Sequence, residues 1–219
     1  SIPQFEQVLP EQELRPAQGS VDFEDAPMEA SGLEHSLRGA YFIESRRFED
    51  AVDEFRLALI YFPDSSFLHQ QLSAAWQALG DYSKSKHVLE TGLKRMPSSP
   101  LLNYRLGLLL HREMEFQNAT HHLEIASQNE MHHRLALPLL VSSQLWLGHF
   151  KKAQAATQLL LQSRLIERST FLKVAETLEE HGFYDEAWKL YAKVRGKYPD
   201  DQSASLGQMR IELLRGNIS

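Results

Sequence analysis

An aromatic ring returns every 34 residues along the middle of this chain, at Phe48, Tyr82, Phe116, Phe150 and Tyr184. Three residues after each stands a small side chain: Ala51, Ser85, Ala119, Ala153 and Ala187, with no insertion or deletion across the five copies. Two residues before each aromatic comes a turn position, held by Arg46, Gly80, Met114, Gly148 and Gly182. Fifteen residues after each stand Pro63, Pro97, Met131, Leu165 and Pro199, so three copies of five carry proline there. A register that stays unbroken this long requires one supersecondary unit, repeated and stacked, because such a unit buries its apolar face only against its neighbours.

Each recurring residue has a physical task. Two helices that cross closely need a small side chain early in the second helix. The facing position on the first helix, twelve residues earlier, is Gly39, Ser73, Gly107, Val141 and Ala175, small in all but one copy. The aromatic at the start of the second helix fills the corner between neighbouring units. Proline near its end stops the helix and sets the next turn.

In period and small-residue placement the pattern resembles the tetratricopeptide repeat (TPR), over residues 32–200. The resemblance implies an all-α fold: an α-solenoid of five tandem helix-turn-helix repeats in a right-handed superhelix, followed by a C-terminal capping helix. The repeats fall at 32–65, 66–99, 100–133, 134–167 and 168–201, and residues 202–219 supply the cap, with Arg210, Glu212 and Arg215 on its polar face. Ser31 followed by Glu34 forms a candidate capping box for the first helix.

Departures from the repeat pattern single out particular copies. The bulky residue expected early in each first helix is His35, His69, Asn103, Leu137 and Phe171, polar in three copies. In the fourth copy Thr157 stands for a large apolar residue and Leu160 for a small one, so this repeat should be the most irregular. Pro138 lies within its first helix and is harmless if that helix begins near Leu135, which is the expectation.

Composition narrows the function. With 42% hydrophobic and 24% charged residues, the 219-residue chain can bury a core. It has no apolar run long enough for a membrane span, and residues 1–16 do not read as a signal peptide. Absence of cysteine removes disulfides and thiolate chemistry and suits cytosol and periplasm alike; a cytoplasmic protein is the expectation, or a periplasmic one if an export signal has been removed. Residues 1–31 carry seven acids against one base and four of the nine prolines, and read as a flexible acidic arm; the remainder is neutral. This is not the electrostatic footprint of a nucleic-acid or anionic-lipid binder.

In a TPR-like solenoid, function lies on the concave face, formed by first-helix side chains that the pattern leaves free. These include Gln70, Ala74 and Gln77, then Tyr104, Arg105, Leu108, His111 and Arg112, then Leu139, Ser142 and Trp146, and finally Lys173, Glu176, Glu179 and Glu180. The strongest candidates are Gln70, Gln77, Tyr104, Arg105, Leu108, His111, Arg112 and Trp146. A protein or peptide partner with an acidic group or C-terminal carboxylate opposite Arg105 and Arg112 fits guanidinium chemistry. The acidic arm, with Ile2, Phe5, Val8 and Leu9 on one edge, could dock there itself. Some TPR relatives grip chaperone C-termini with a Lys/Asn/Arg set, but the matching positions here are Ser36, Ala40, Gln71, Leu101 and Arg105, and only Arg105 suits that task.

Other classes find less support. His121, His122, His132 and His133 cluster in sequence, but adjacent helical residues diverge by about 100 degrees, so each pair offers one ligand to a metal site at most. A pH-sensitive seam between the third and fourth repeats, losing stability between about pH 7 and 5.5, fits them better. There is no phosphate-binding glycine loop, nucleophile elbow or paired-histidine metalloprotease motif, and the carboxylates of Glu176, Glu179, Glu180, Asp185 and Glu186 read as a solvated face. The leading expectation is a non-catalytic adaptor or scaffold without cofactor or metal. The alternatives are a structural subunit contacting through its convex face or ends and, last, an enzyme.

Overall fold

The computed structural model describes residues 26–162 and 167–216, and within them the chain is all-helical. The helices are α1 (Ala26–Glu44), α2 (Phe48–Tyr61), α3 (Ser66–Ala78), α4 (Tyr82–Arg95), α5 (Pro100–Arg112), α6 (Phe116–Ser127), α7 (Glu130–Trp146), α8 (Phe150–Gln162), α9 (Arg168–Glu180), α10 (Tyr184–Lys197) and α11 (Gln202–Leu214). Every recurring aromatic is the first residue of an even-numbered helix.

The turn positions share one conformation. Arg46, Gly80, Met114, Gly148 and Gly182 all adopt positive φ, between 56° and 80°. Around each, the helix end closes by the same pair of hydrogen bonds. Gly80 N donates to Gln77 O and Asp81 N to Trp76 O, and the equivalents at Met114 are Met114 N to His111 O and Glu115 N to Leu110 O. This is the Schellman closure, which satisfies terminal carbonyls and leaves the next helix to start almost at once. Asp81 then accepts from Lys84 N at 2.9 Å, so one residue closes α3 and caps α4.

Each odd helix touches the next odd helix, from α1 to α11, whereas among the even helices only α8 and α10 meet within the described residues. The odd helices therefore form the close-packed inner layer and the even helices the splayed outer one, which curves the stack towards the odd side.

The crossings explain the small residues. A Cβ on Gly39 would sit 2.6 Å from the Phe55 ring, and one on Gly107 2.8 Å from Leu123. The glycine thus makes room for the large residue of the second helix, as well as for the small one four residues before it. In the second copy the crossing is polar: the Ser73 and Ser85 hydroxyls lie 2.8 Å apart, and Gln77 Nε2 donates to Ser85 at 3.0 Å. Here the apolar core divides into one cluster from Ala51 to Ala75 and another from Leu89 to Ile211.

The polar residues at the bulky position each find a partner. His35 meets Glu54 at 2.6 Å, and Asn103 meets His122 at 2.8 Å, both nineteen residues apart, so two repeats place a polar pair at the same site. His69 turns instead to the Ser65 carbonyl at 3.0 Å.

Two helix starts differ from expectation. Helix α7 begins at Glu130, because Asn129 Oδ1 accepts from Met131 N at 3.0 Å and His132 N at 3.3 Å. Pro138 is therefore internal to a 17-residue helix, and the fourth repeat is irregular in this respect. Helix α1 already includes Ala26, so Ser31 lies inside it rather than at its first turn. Leu165, at the fourth proline position, and the apolar residues of the arm lie outside the described residues.

Candidate functional site

A cavity of about 410 Å³ opens on the inner layer between α5, α7 and α9. Helix α5 contributes Tyr104, Leu108, His111 and Arg112; α7 contributes Arg134, Leu135, Pro138, Leu139, Val141 and Ser142. Glu167 and, from α9, Thr170, Lys173, Val174 and Thr177 complete the lining. These residues share a cavity because α7 follows α5 one repeat on and α9 one repeat later, so equivalent faces of three helices converge.

Its chemistry is cationic over an apolar floor. Among the described residues Arg112, Arg134 and Lys173 form no ion pair, and the lining carboxylate, Glu167, accepts from the Ser169 hydroxyl at 3.1 Å. Arg105 lies beside the cavity, its guanidinium 5.9 Å from the Tyr104 ring centre. Its Nε is buried without a hydrogen-bond partner, and burial pulls the guanidinium below its ordinary pKa. Burial raises the Tyr104 phenol, so it remains a hydrogen-bond donor at neutral pH. Burial, with the Lys173 and Arg112 charges, lowers His111, whose Nδ1 lies 2.8 Å from the buried Ser143 hydroxyl. His111 is thus neutral in a site that already holds several cations.

Pro138 adds a backbone feature. Having no N–H, it leaves the Arg134 carbonyl without its helical donor. Residues 134 and 138 lie on one face of α7, and both line the cavity.

Along the inner rim runs a ladder of rings. His111 meets Phe116 edge-on at 5.4 Å, Phe116 stacks on Trp146 at 5.9 Å and 5°, and Trp146 meets His181 edge-on at 5.4 Å. Trp146 nevertheless stays 61% exposed. It is a groove-edge residue tied by stacking rather than a cavity-lining one.

Of the candidates named from sequence, Tyr104, Leu108, His111 and Arg112 meet in the cavity. Arg105 and Trp146 flank it. Gln77 commits its amide to Ser85 and Ser73, and Gln70 lies on α3, away from the cavity. The repeat pattern does not mark Arg134, Leu135, Pro138, Glu167, Thr170, Val174 or Thr177 as groove residues, although all line the cavity; a helix expected to start at Leu135 leaves Arg134 outside it. The Asn129 cap is the sequence signal that could have found it.

Towards the C-terminal end, Glu176, Glu179, Glu180, Tyr184, Arg210 and Leu214 line a second hollow of about 460 Å³. The Glu179 carboxylate is occupied there: Arg210 donates to it at 2.7 and 2.9 Å and the Tyr191 hydroxyl at 3.0 Å. Among the described residues no group of three or more His, Asp or Glu side chains converges as metal ligands would, and no helix is long and apolar enough to cross a membrane.

No protein-family model and no curated protein matches the chain. Solved structures match it well in shape. A tetratricopeptide repeat protein from Parabacteroides merdae superposes with a TM-score of 0.66 at 15% identity, over 85% of this chain and 74% of that one. Pseudomonas aeruginosa pilF gives 0.63 at 16% identity, over 86% of this chain and 93% of its own. YrrB, described as a TPR protein with an unusual peptide-binding site, gives 0.63 at 14% identity, over 84% and 95%. Helix order, left-handed turns and these superpositions together give the chain the fold of a tetratricopeptide-repeat solenoid.

Proposed function

We propose that this chain is a non-catalytic adaptor that holds an acidic segment of a partner protein in the cavity between α5, α7 and α9. The observation that carries this reading is an excess of cationic charge over the single carboxylate of the lining, Glu167. Arg112, Arg134 and Lys173 surround the cavity unpaired, and Arg105 buries an unbonded Nε beside it. A half-buried guanidinium without a partner is costly, and an incoming carboxylate removes that cost through a charge-assisted, bidentate bond. The apolar floor of Leu108, Leu139 and Val174 takes the neighbouring side chain of the ligand. The peptide-binding site attributed to YrrB, which shares the fold, is in keeping with such a role. No cofactor or metal is part of this reading.

The test is a pull-down with the wild-type chain against the Arg105→Glu, Arg112→Glu double variant, followed by calorimetry with synthetic peptides from the captured partner. Loss of the partner only with the variant, and of peptide affinity when its acids become amides, is the expected result. Equal capture by both proteins rules the groove out.

A second reading rests on charge complementarity. Residues 1–31 carry a net charge of −6, matched to the cationic cavity, so the arm is a candidate occupant in the same or a neighbouring molecule. Deleting residues 1–30 then raises affinity for an external acidic peptide; unchanged affinity removes this reading.

A further inference from the structure

The cavity between α5, α7 and α9 holds one side chain whose charge can change near neutral pH. Arginine, lysine and glutamate, which supply its formal charges, do not titrate there, and burial carries the Tyr104 phenol still further from that range. His111 is the lining residue that remains. Its Nδ1 lies 2.8 Å from the Ser143 hydroxyl and its ring meets Phe116 edge-on at 5.4 Å, so the imidazole is held in place. Among the described residues its Nε2 has no hydrogen-bond partner and is the nitrogen left for whatever enters.

Two positive charges act on this ring. Burial first, then Lys173 on α9 and Arg112 on α5, hold it below its ordinary pKa, so it is neutral while the cavity is empty. Helix α6 presents the uncharged Phe116 ring to it and α7 the uncharged Ser143 hydroxyl, while Arg134 and Glu167 complete the charged lining. An acidic ligand reverses this balance, because its carboxylates offset Arg112 and Lys173 and bring negative charge beside the ring. An opposite charge within about 4–6 Å favours the charged form of a titratable group.

We infer, on the reading of this cavity as an acidic-peptide site, that His111 takes up a proton as the ligand enters, so that ligand affinity rises as pH falls. The direction follows from reciprocity: a ligand that makes His111 more basic must itself bind more tightly to the protonated form. Both ring nitrogens of an imidazolium are donors. Nε2 then donates to a ligand oxygen while Nδ1 donates to Ser143. A single coupled proton limits the effect to about tenfold in affinity per pH unit. His132, whose ring packs on Tyr104 at 6.2 Å, and His181, beyond Trp146, flank the cavity without lining it.

Titration calorimetry of the full chain with the capped pentapeptide acetyl-Glu-Glu-Leu-Glu-Glu-amide tests it. The peptide's carboxylates stay ionised above about pH 6, so they take up no proton themselves. At about pH 6.5, measurement in two buffers of different ionisation enthalpy counts protons, and a net uptake of roughly 0.3–1 per peptide is expected. Between about pH 7.5 and 6 the affinity should rise roughly threefold to tenfold. His111→Gln, and the smaller His111→Asn, should abolish the uptake and flatten the pH dependence, with circular dichroism confirming that both fold. Proton NMR of the wild-type chain gives a readout independent of any variant: the histidine ring in contact with Phe116 should titrate at higher pH when saturated with peptide. Binding without proton uptake overturns the inference and leaves the acidic-ligand reading standing. Uptake that survives in both variants, or a shift confined to another histidine, overturns it as well. Absence of peptide binding at every pH removes the acidic-ligand reading and the inference with it.

Discussion

His122 Nδ1 lies 2.8 Å from Asn103 Oδ1, and Asn103 Nδ2 donates at 2.9 Å to the carbonyls of both Pro97 and Ser99. With its amide hydrogens spent, Asn103 has only an acceptor to offer, so His122 holds its proton on Nδ1. One side chain thereby ties the start of α5 to the middle of α6.

The same pair sets a pH dependence. Burial first, and the neighbouring His121 second, lower the His122 pKa from 6.5 to about 4. The unfolded chain takes up this proton near pH 6.5 and the folded chain only near 4, so the stability contributed is complete above the higher value and lost progressively towards the lower. His111 and His132 are lowered as well, chiefly by burial, and act in the same direction. Lys86, Glu90, Lys94, Glu115 and His121 line the hollow that His122 shares. Urea midpoints should fall as pH drops from 6.5 towards 4, and His122→Gln should flatten that slope. The window lies lower than the span from 7 to 5.5 expected from sequence, because burial of an individual ring is not written in the chain.

Replacing Arg46 or Met114 by glycine should stabilise the protein. Both hold positive φ, at 56° and 61°, where an L side chain costs about 1–2 kcal/mol. Glycine returns roughly half of this through the greater freedom of its unfolded state. Each variant should gain about 0.5–1 kcal/mol by chemical denaturation; Met114 is largely exposed, so little packing is lost. A loss of stability at both sites would count against the conformation.

The Ser73–Ser85 pair lends itself to a double-mutant cycle. Ser85→Ala leaves a buried hydroxyl on Ser73 without its 2.8 Å partner and should cost about 1–3 kcal/mol. Adding Ser73→Ala should recover part of this, since two apolar methyls replace two paired hydroxyls. Additive losses in thermal denaturation would show that the hydroxyls do not act as a pair.

At the cavity, Arg134→Ala and Lys173→Ala should each weaken an acidic peptide by about 0.5–1 kcal/mol, roughly two- to fivefold. Added salt should shrink both effects, since both side chains are exposed. Titration calorimetry at two ionic strengths reads the difference directly.

Pro138→Ala should stabilise α7 by up to about 3 kcal/mol, because it restores a donor to the Arg134 carbonyl and removes the ring from the helix interior. Unchanged thermal stability would show that α7 has already relaxed around the proline.

What the sequence determined by itself is the scaffold. The positions of Tyr82, Ser85 and Gly80 recur because every unit meets the same local demands: a corner to fill, a crossing to permit and a left-handed turn to close. How residues distant in sequence meet follows instead from the packing of the helices. The cap at Asn129 starts α7 early and carries Arg134 and Pro138 into a cavity completed by α5 and α9. The partner of Asn103 lies on another helix, and Gln77, free by register, is drawn into the Ser73–Ser85 crossing. Periodicity reports steric requirements common to all copies, whereas the site depends on side chains in which the copies differ and on convergence of three helices that no single repeat contains.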